Sequence, residues 1–262
     1  MVGTRRLGVL LAAAVVLLVP RIGLAQGTVC GQETVLVPDG RLTNGSLAAS
    51  ATGFYLVQTT VGRSYSAEIK SDPPNFGNPV TITVFDGTSA CGPGNTLTSR
   101  DTQPVDPPIP SNGRRRSFTA IDPANGGFHR IVVVNNTAGP ITFTATVSDT
   151  TQFSPAWSTI SSFDTFYSFY NTTNSTCNVT LTMVDTGGVV RTTFSGAVTT
   201  GTTLSTNTSA LATARGMAGT AKLTHDCPPG GILAEAAIAN FSISPTPYFQ
   251  FIHFQPTRES AH

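Results

Sequence analysis

Four histidines, His129, His225, His253 and His262, are the side chains best suited to general acid–base work, because an ordinary imidazole changes charge near neutral pH. A catalytic triad needs one of them beside a hydroxyl or thiol and a carboxylate. They are isolated from one another in the sequence, and no G-x-S-x-G, H-E-x-x-H or phosphate-loop pattern accompanies them. His129 adjoins the apolar run Ile131 to Val134 and His253 lies in an aromatic run, both settings for packed imidazoles. A carboxylate pair for glycoside hydrolysis would have to come from 14 acids spread thinly over the chain. No catalytic residue is assigned. Oxygen ligands for calcium could come from Asp72 and Asn75 in Asp72-Pro73-Pro74-Asn75, and from Asp86 in Asp86-Gly87-Thr88. Neither loop has the acidic density of an EF-hand, so calcium is the one cofactor considered and the weaker reading beside ordinary turns. Arg114-Arg115-Arg116 is the one basic cluster and reads as a solvated strand start or a contact for an acidic polymer.

Aromatic side chains form the more informative pattern. Phe163, Phe166, Tyr167, Phe169 and Tyr170 place rings on both faces of one strand, and Phe249, Phe251 and Phe254 do so near the end. Trp157, the single tryptophan, lies just ahead of the first group. Rings exposed in a row stack on sugars or dock a partner, so Trp157, Phe166, Tyr167, Phe169 and Tyr170 mark an expected ligand or partner surface. The competing expectation is that one face fills a core and the other the seam between two domains. N-x-S/T triplets at Asn44, Asn135, Asn171, Asn174, Asn178, Asn207 and Asn240 are expected by chance in a chain with about 40 threonines.

The elements that would position these residues are strands. Of the 262 residues, 39% are hydrophobic and 11% charged, against a usual charged share of about 25%. Lysine occurs only at positions 70 and 222. A chain rich in Thr, Gly and Pro and poor in Lys and Glu is not mainly helical. Tyr65, Ala67 and Ile69 alternate with polar neighbours, as do Ile141, Phe143, Ala145 and Val147, and Val179, Leu181 and Met183. Phe54 to Thr59, Val80 to Phe85 and Ile131 to Val134 are apolar on both faces and read as central strands. Only Thr208 to Arg215 has room for a helical turn or two. Strands punctuated by Gly, Pro and Asn at short spacing predict an all-β chain of two consecutive antiparallel β-sandwich domains, jelly-roll or Ig-like, after a cleaved signal peptide. The expected divisions are a signal peptide at 1–25, a first domain at 27–150, a linker at 151–159 and a second domain at 160–262.

Export rests on Arg5-Arg6, the 13-residue apolar run Leu7 to Val19, and the small residues of Gly23-Leu24-Ala25. As a helix that run is about 20 Å long, short of a hydrocarbon core of about 30 Å. The mature chain is expected to have no membrane span and to be secreted or periplasmic. Removing Arg5, Arg6 and Arg21 leaves 12 basic and 14 acidic residues, a charge of −2, which gives nucleic acid no reason to bind. Cys30, Cys91, Cys177 and Cys227 are an even set in an exported chain and read as two disulfides with three connectivities open. Two fall in each half, which favours Cys30–Cys91 and Cys177–Cys227.

The first domain also resembles a known module. Gly53-Phe54-Tyr55-Leu56-Val57, Gly62-Arg63-Ser64-Tyr65-Ser66-Ala67-Glu68 and Val80-Thr81-Ile82-Thr83-Val84-Phe85-Asp86 are similar to strands of the bacterial pre-peptidase C-terminal β-sandwich. Gly127-Phe128-His129-Arg130-Ile131-Val132-Val133 and Ile141-Thr142-Phe143-Thr144 resemble its last two. The resemblance implies an accessory domain of a secreted bacterial protein, in some cases polysaccharide- or surface-binding, and it carries no catalytic residue. The second domain resembles other bacterial β-sandwiches that open on an aromatic strand followed by Asn-Thr-Thr, here Asn171-Thr172-Thr173. The functional expectation is an exported, non-catalytic binding, adhesion or surface-associated protein whose partner is a polysaccharide or another surface protein. The alternatives are an extracellular hydrolase or accessory subunit acting on polysaccharide, and a structural subunit of an extracellular assembly. Strand edges so poor in Lys and Glu favour association with another sheet.

Overall fold

A period-two pattern of buried and open side chains runs through most of the described strands. The computed structural model describes residues 31–72, 80–86, 113–120 and 128–256, and within them every regular element is a strand. Among the described residues no helix is long and apolar enough to cross a membrane. The proposed signal peptide, Cys30, Cys91, Asn75 and His262 lie outside the described residues, as do the side chains of Asp72 and Asp86.

The first sandwich consists of β1 (Thr34–Leu36), β2 (Thr43–Leu47), β3 (Thr52–Gln58), β4 (Ser64–Asp72), β5 (Val80–Asp86), β6 (Gly113–Thr119), β7 (Phe128–Asn135) and β8 (Ile141–Asp149). They form two four-stranded sheets, ordered β1-β3-β7-β5 and β2-β8-β4-β6. All neighbours are antiparallel except β1, which lies parallel to β3. Tyr55, Tyr65, Ile69, Ile82, Ile131, Phe143 and Val147 fill the space between the sheets. Of the runs read as central strands, β3 and β7 are central, but β5 stands at a sheet edge.

The second sandwich follows with β9 (Gln152–Ser158), β10 (Phe163–Asn171), β11 (Cys177–Asp185), β12 (Val190–Val198), β13 (Thr203–Asn207), β14 (Ala218–His225), β15 (Ile232–Asn240), β16 (Tyr248–His253) and β17 (Gln255–Pro256). Its sheets are ordered β13-β10-β15-β16 and β12-β11-β14-β9-β17. Trp157, Tyr167, Phe169, Leu181, Met183, Leu223 and Ile232 pack between them. Cys177 and Cys227 are joined in a disulfide. The stretch Thr208 to Arg215 is a set of turns, not a helix, with Leu211 N–H donating to Asn207 O and Ala212 held at φ 50°.

The 151–159 linker is a correction to the sequence reading. Residues 152–158 are β9, paired with β14 on one side and with β17 at Gln152 and Phe153 on the other. Only Thr150 and Thr151 connect the sandwiches, and both are buried. The Thr150 hydroxyl donates to Ser64 Oγ at 2.9 Å, and Ser64 N–H donates to Thr151 Oγ1 at 2.9 Å. The His225 main-chain N–H, from the far end of β14, reaches the same Ser64 hydroxyl at 3.3 Å. Arg63 pairs with Asp149 at 3.0 Å and lies over the Phe153 ring. The polarity of Thr150-Thr151 resembles linker composition, but here the hydroxyls close a joint.

Each sandwich also contains the same strand–turn–strand unit. β7 ends at Asn135 and five residues separate it from β8; β10 ends at Asn171 and an equal gap separates it from β11. The Asn135 amide donates to Gly139 O and Ala48 O, each at 2.8 Å, and its oxygen accepts from Thr137 N–H and hydroxyl. Asn171 repeats this with Ser175 O at 2.6 Å, Val198 O at 2.8 Å, and Thr173. Two of the N-x-T triplets are therefore turns whose buried asparagine ties one sheet to the other.

Candidate functional site

Strand alternation divides the expected aromatic surface in two. Tyr167 and Phe169 face inward and are buried, whereas Phe166 and Tyr170 on the same strand face solvent. Burial without a hydrogen-bond partner pushes the Tyr167 phenol well above its usual range. Trp157 is only 1% exposed, and its indole N–H is shared between Val184 O and Thr220 O at 3.0 Å each. Trp157, Tyr167 and Phe169 are thus core residues and do not form a ligand surface. The outward face of β10 does not enter the seam between the sandwiches, which is built from β4, β9 and β14.

That outward face forms a concave groove. Register places Asn207, Phe166, Ala237 and Phe251 in one row across β13, β10, β15 and β16. The next row is Ser205, Ser168, Glu235 and His253. Alanine at 237 leaves a gap between two phenyl rings, and the groove encloses about 310 Å³. Phe166 meets Phe241 edge-to-face at 5.9 Å, and Phe241 meets Phe249 at 5.4 Å, giving a wall of rings at one end. Phe251 stands opposite, 73% exposed. Glu235 and His253 approach to 3.4 Å at the other end, both open to solvent. Behind the ring wall, burial opposes ionisation of Asp164, but hydrogen bonds from Arg215, Thr208 and Ser209 outweigh it and hold the carboxyl below its ordinary range. The groove combines apolar ring faces with hydroxyls and a carboxylate, and has no concentrated charge.

Sequence reasoning found Phe166 and Tyr170 for this face, and the aromatic rhythm singled out Phe249 and Phe251. It missed Ser168, Ser205, Glu235, Ala237, Phe241 and His253, because their proximity is fixed by pairing among strands distant in sequence.

Other residues with chemical potential are committed elsewhere. His129 is 2% exposed, with Nδ1 2.8 Å from Thr59 Oγ1 and its ring against Phe118, so this imidazole–hydroxyl pair is closed to substrate. His225 is buried at the seam, where loss of hydration and the positive charge of Arg115 push its imidazole down to about 4. Arg114-Arg115-Arg116 is at a strand start, in the opening of β6, but it is not solvated as expected: Arg115 is buried, and Arg116 Nε donates to Ile82 O at 3.2 Å. Cys177, Asp226 and Cys227 are close enough to suit a metal, but both sulfurs are in the disulfide. Asp226 accepts from Asn178 N–H at 2.7 Å and from its amide at 2.6 Å.

No protein-family model and no curated protein matches this sequence. Among solved structures, a Thermotoga maritima protein is similar with a TM-score of 0.35 at 9% identity, over 41% of this chain and 96% of that one. The full extracellular region of zebrafish Gpr126/Adgrg6 gives a TM-score of 0.23 at 10% identity, over 87% of this chain and 34% of that one. A β-glucuronidase from glycoside hydrolase family 2 gives 0.18 at 11%, over 81% of this chain and 24% of that one. This chain spans about a third of the receptor region and about a quarter of the glucuronidase. No residue role is carried over from any of them.

Proposed function

We propose that this is an exported, non-catalytic binding protein that holds a neutral polysaccharide in the groove across β13, β10, β15 and β16. The observation that carries the reading is the row Phe166–Ala237–Phe251. Phe166 and Phe251 are two strands apart, a backbone separation of about 10 Å. A ring seated on Ala237 midway would be about 5 Å from each phenyl, within the distance range of aromatic ring contacts. The apolar faces of a pyranose suit the phenyl rings, while its hydroxyls suit Ser168, Ser205 and Glu235 in the adjoining row. The near-neutral groove fits an uncharged polymer better than an acidic one.

Affinity electrophoresis and calorimetry against a panel of soluble neutral glucans, mannans and xylans would test this. Phe251→Ala removes an exposed ring, so the fold should be retained while binding weakens by about tenfold or more. Absence of binding to every polymer in the panel, or binding by Phe251→Ala and Phe166→Ala equal to that of wild type, would overturn the reading.

A further inference from the structure

We propose that β16 is an association strand, through which two copies of this chain pair antiparallel about a two-fold axis at Gln250. β16 ends its sheet, and among the described residues it pairs only with β15. An unpaired edge exposes a row of main-chain donors and acceptors, and proteins usually protect it with Lys, Glu, Pro or a covering segment. None of those residue types occurs in Tyr248-Phe249-Gln250-Phe251-Ile252-His253. The other sheet of this sandwich is protected on the same side. There β17 closes the edge of β9 at Gln152 and Phe153, and the exposed Pro155 interrupts the remainder.

The choice of occupant follows from the sequence of the edge itself. In antiparallel pairing, directly opposed side chains lie on the same face. About Gln250 the strand is a palindrome in character, with phenylalanine on either side and a large apolar residue beyond each. A two-fold axis there sets Phe249 against Phe251 of the second copy, twice, on the groove face. It sets Gln250 against its own counterpart, and Tyr248 against Ile252, on the other face. The opposed phenyl rings form cross-strand aromatic pairs and cover Phe251, one of the most exposed large apolar residues of the protein. The near-neutral chain gives the two copies little reason to repel. The result is one eight-stranded sheet with two grooves on a single face.

Phe251 also lines the proposed groove, but this inference does not rest on the carbohydrate reading, and its test contains no sugar. Gln250 is exposed and lies outside the groove rows, so Gln250→Lys and Gln250→Glu should fold normally by circular dichroism. Sedimentation of the purified wild-type chain should show a dimer. Each charged variant alone places like charges in opposition and should weaken association by about tenfold or more. An equimolar mixture of the two should recover the dimer through a Lys–Glu pair. A wild-type chain that stays monomeric at about 100 μM, charged variants that associate as well as wild type, or a mixture no better than its components would each overturn the proposal.

Discussion

Asn135 and Asn171 show how much one buried amide can be given to do. Each uses both ends of its side chain, donating to two carbonyls and accepting from a threonine two residues on, so the chain turns between sheets with its polar groups paired. Replacement by alanine removes both amide donors and the acceptor of the Thr137 or Thr173 N–H from a buried position, while Gly139 O and Ser175 O keep the Thr137 and Thr173 hydroxyls. Asn135→Ala and Asn171→Ala should each cost about 3 kcal/mol, read by differential scanning calorimetry. The sites lie in different sandwiches, so the costs should add in the double variant. The triplet Asn-x-Thr after an aromatic or β-branched strand was the visible signal of this turn. It reads equally as a glycan acceptor until burial is known.

At the scale of the element, Gly219 in β14 has a comparable role. A Cβ there would fall on the Val184 carbonyl oxygen, the same oxygen that accepts the Trp157 indole N–H. Pairing with β9 shifts register between Gly219 and Ala221, as expected where a small residue permits a bulge. Gly219→Ala should destabilise the protein by about 1–3 kcal/mol, measured by urea unfolding followed through Trp157 fluorescence. Trp157 suits that probe because it is the single tryptophan and fully buried. Strand identity was largely legible in the sequence, because side chains that alternate over one buried face leave a local trace, as in Tyr65 to Ile69 and Val179 to Met183. Pairing order was not. Phe166, Ala237 and Phe251 become neighbours through pairings spanning up to 71 residues, and nothing local to each strand specifies them. Trp157 was misplaced for a related reason: its strand contains a proline and two serines, which mask a strand as a connector.

On the scale of the whole molecule, the joint at Ser64, Thr150, Thr151 and His225 is the feature with the widest effect. His225 is kept neutral there by burial and by the positive charge of Arg115, at about 4 against an ordinary value of 6.5. The unfolded chain therefore takes up this proton first as pH falls. Stability from this site is complete above about pH 6.5 and declines toward pH 4, by up to about 3 kcal/mol. Denaturant unfolding at pH 7.5 and 4.5 should show a larger loss for wild type than for His225→Gln, whose side chain does not titrate; equal losses would count against it. The shortness of the same joint has a mechanical consequence. Two residues with hydrogen-bonded side chains leave no swivel, so a molecule tethered through one sandwich would hold the other at a constant bearing. On the proposed polysaccharide reading, many such molecules on one support would face a passing polymer like bristles set at one angle, and successive captures along it would lose little orientational freedom.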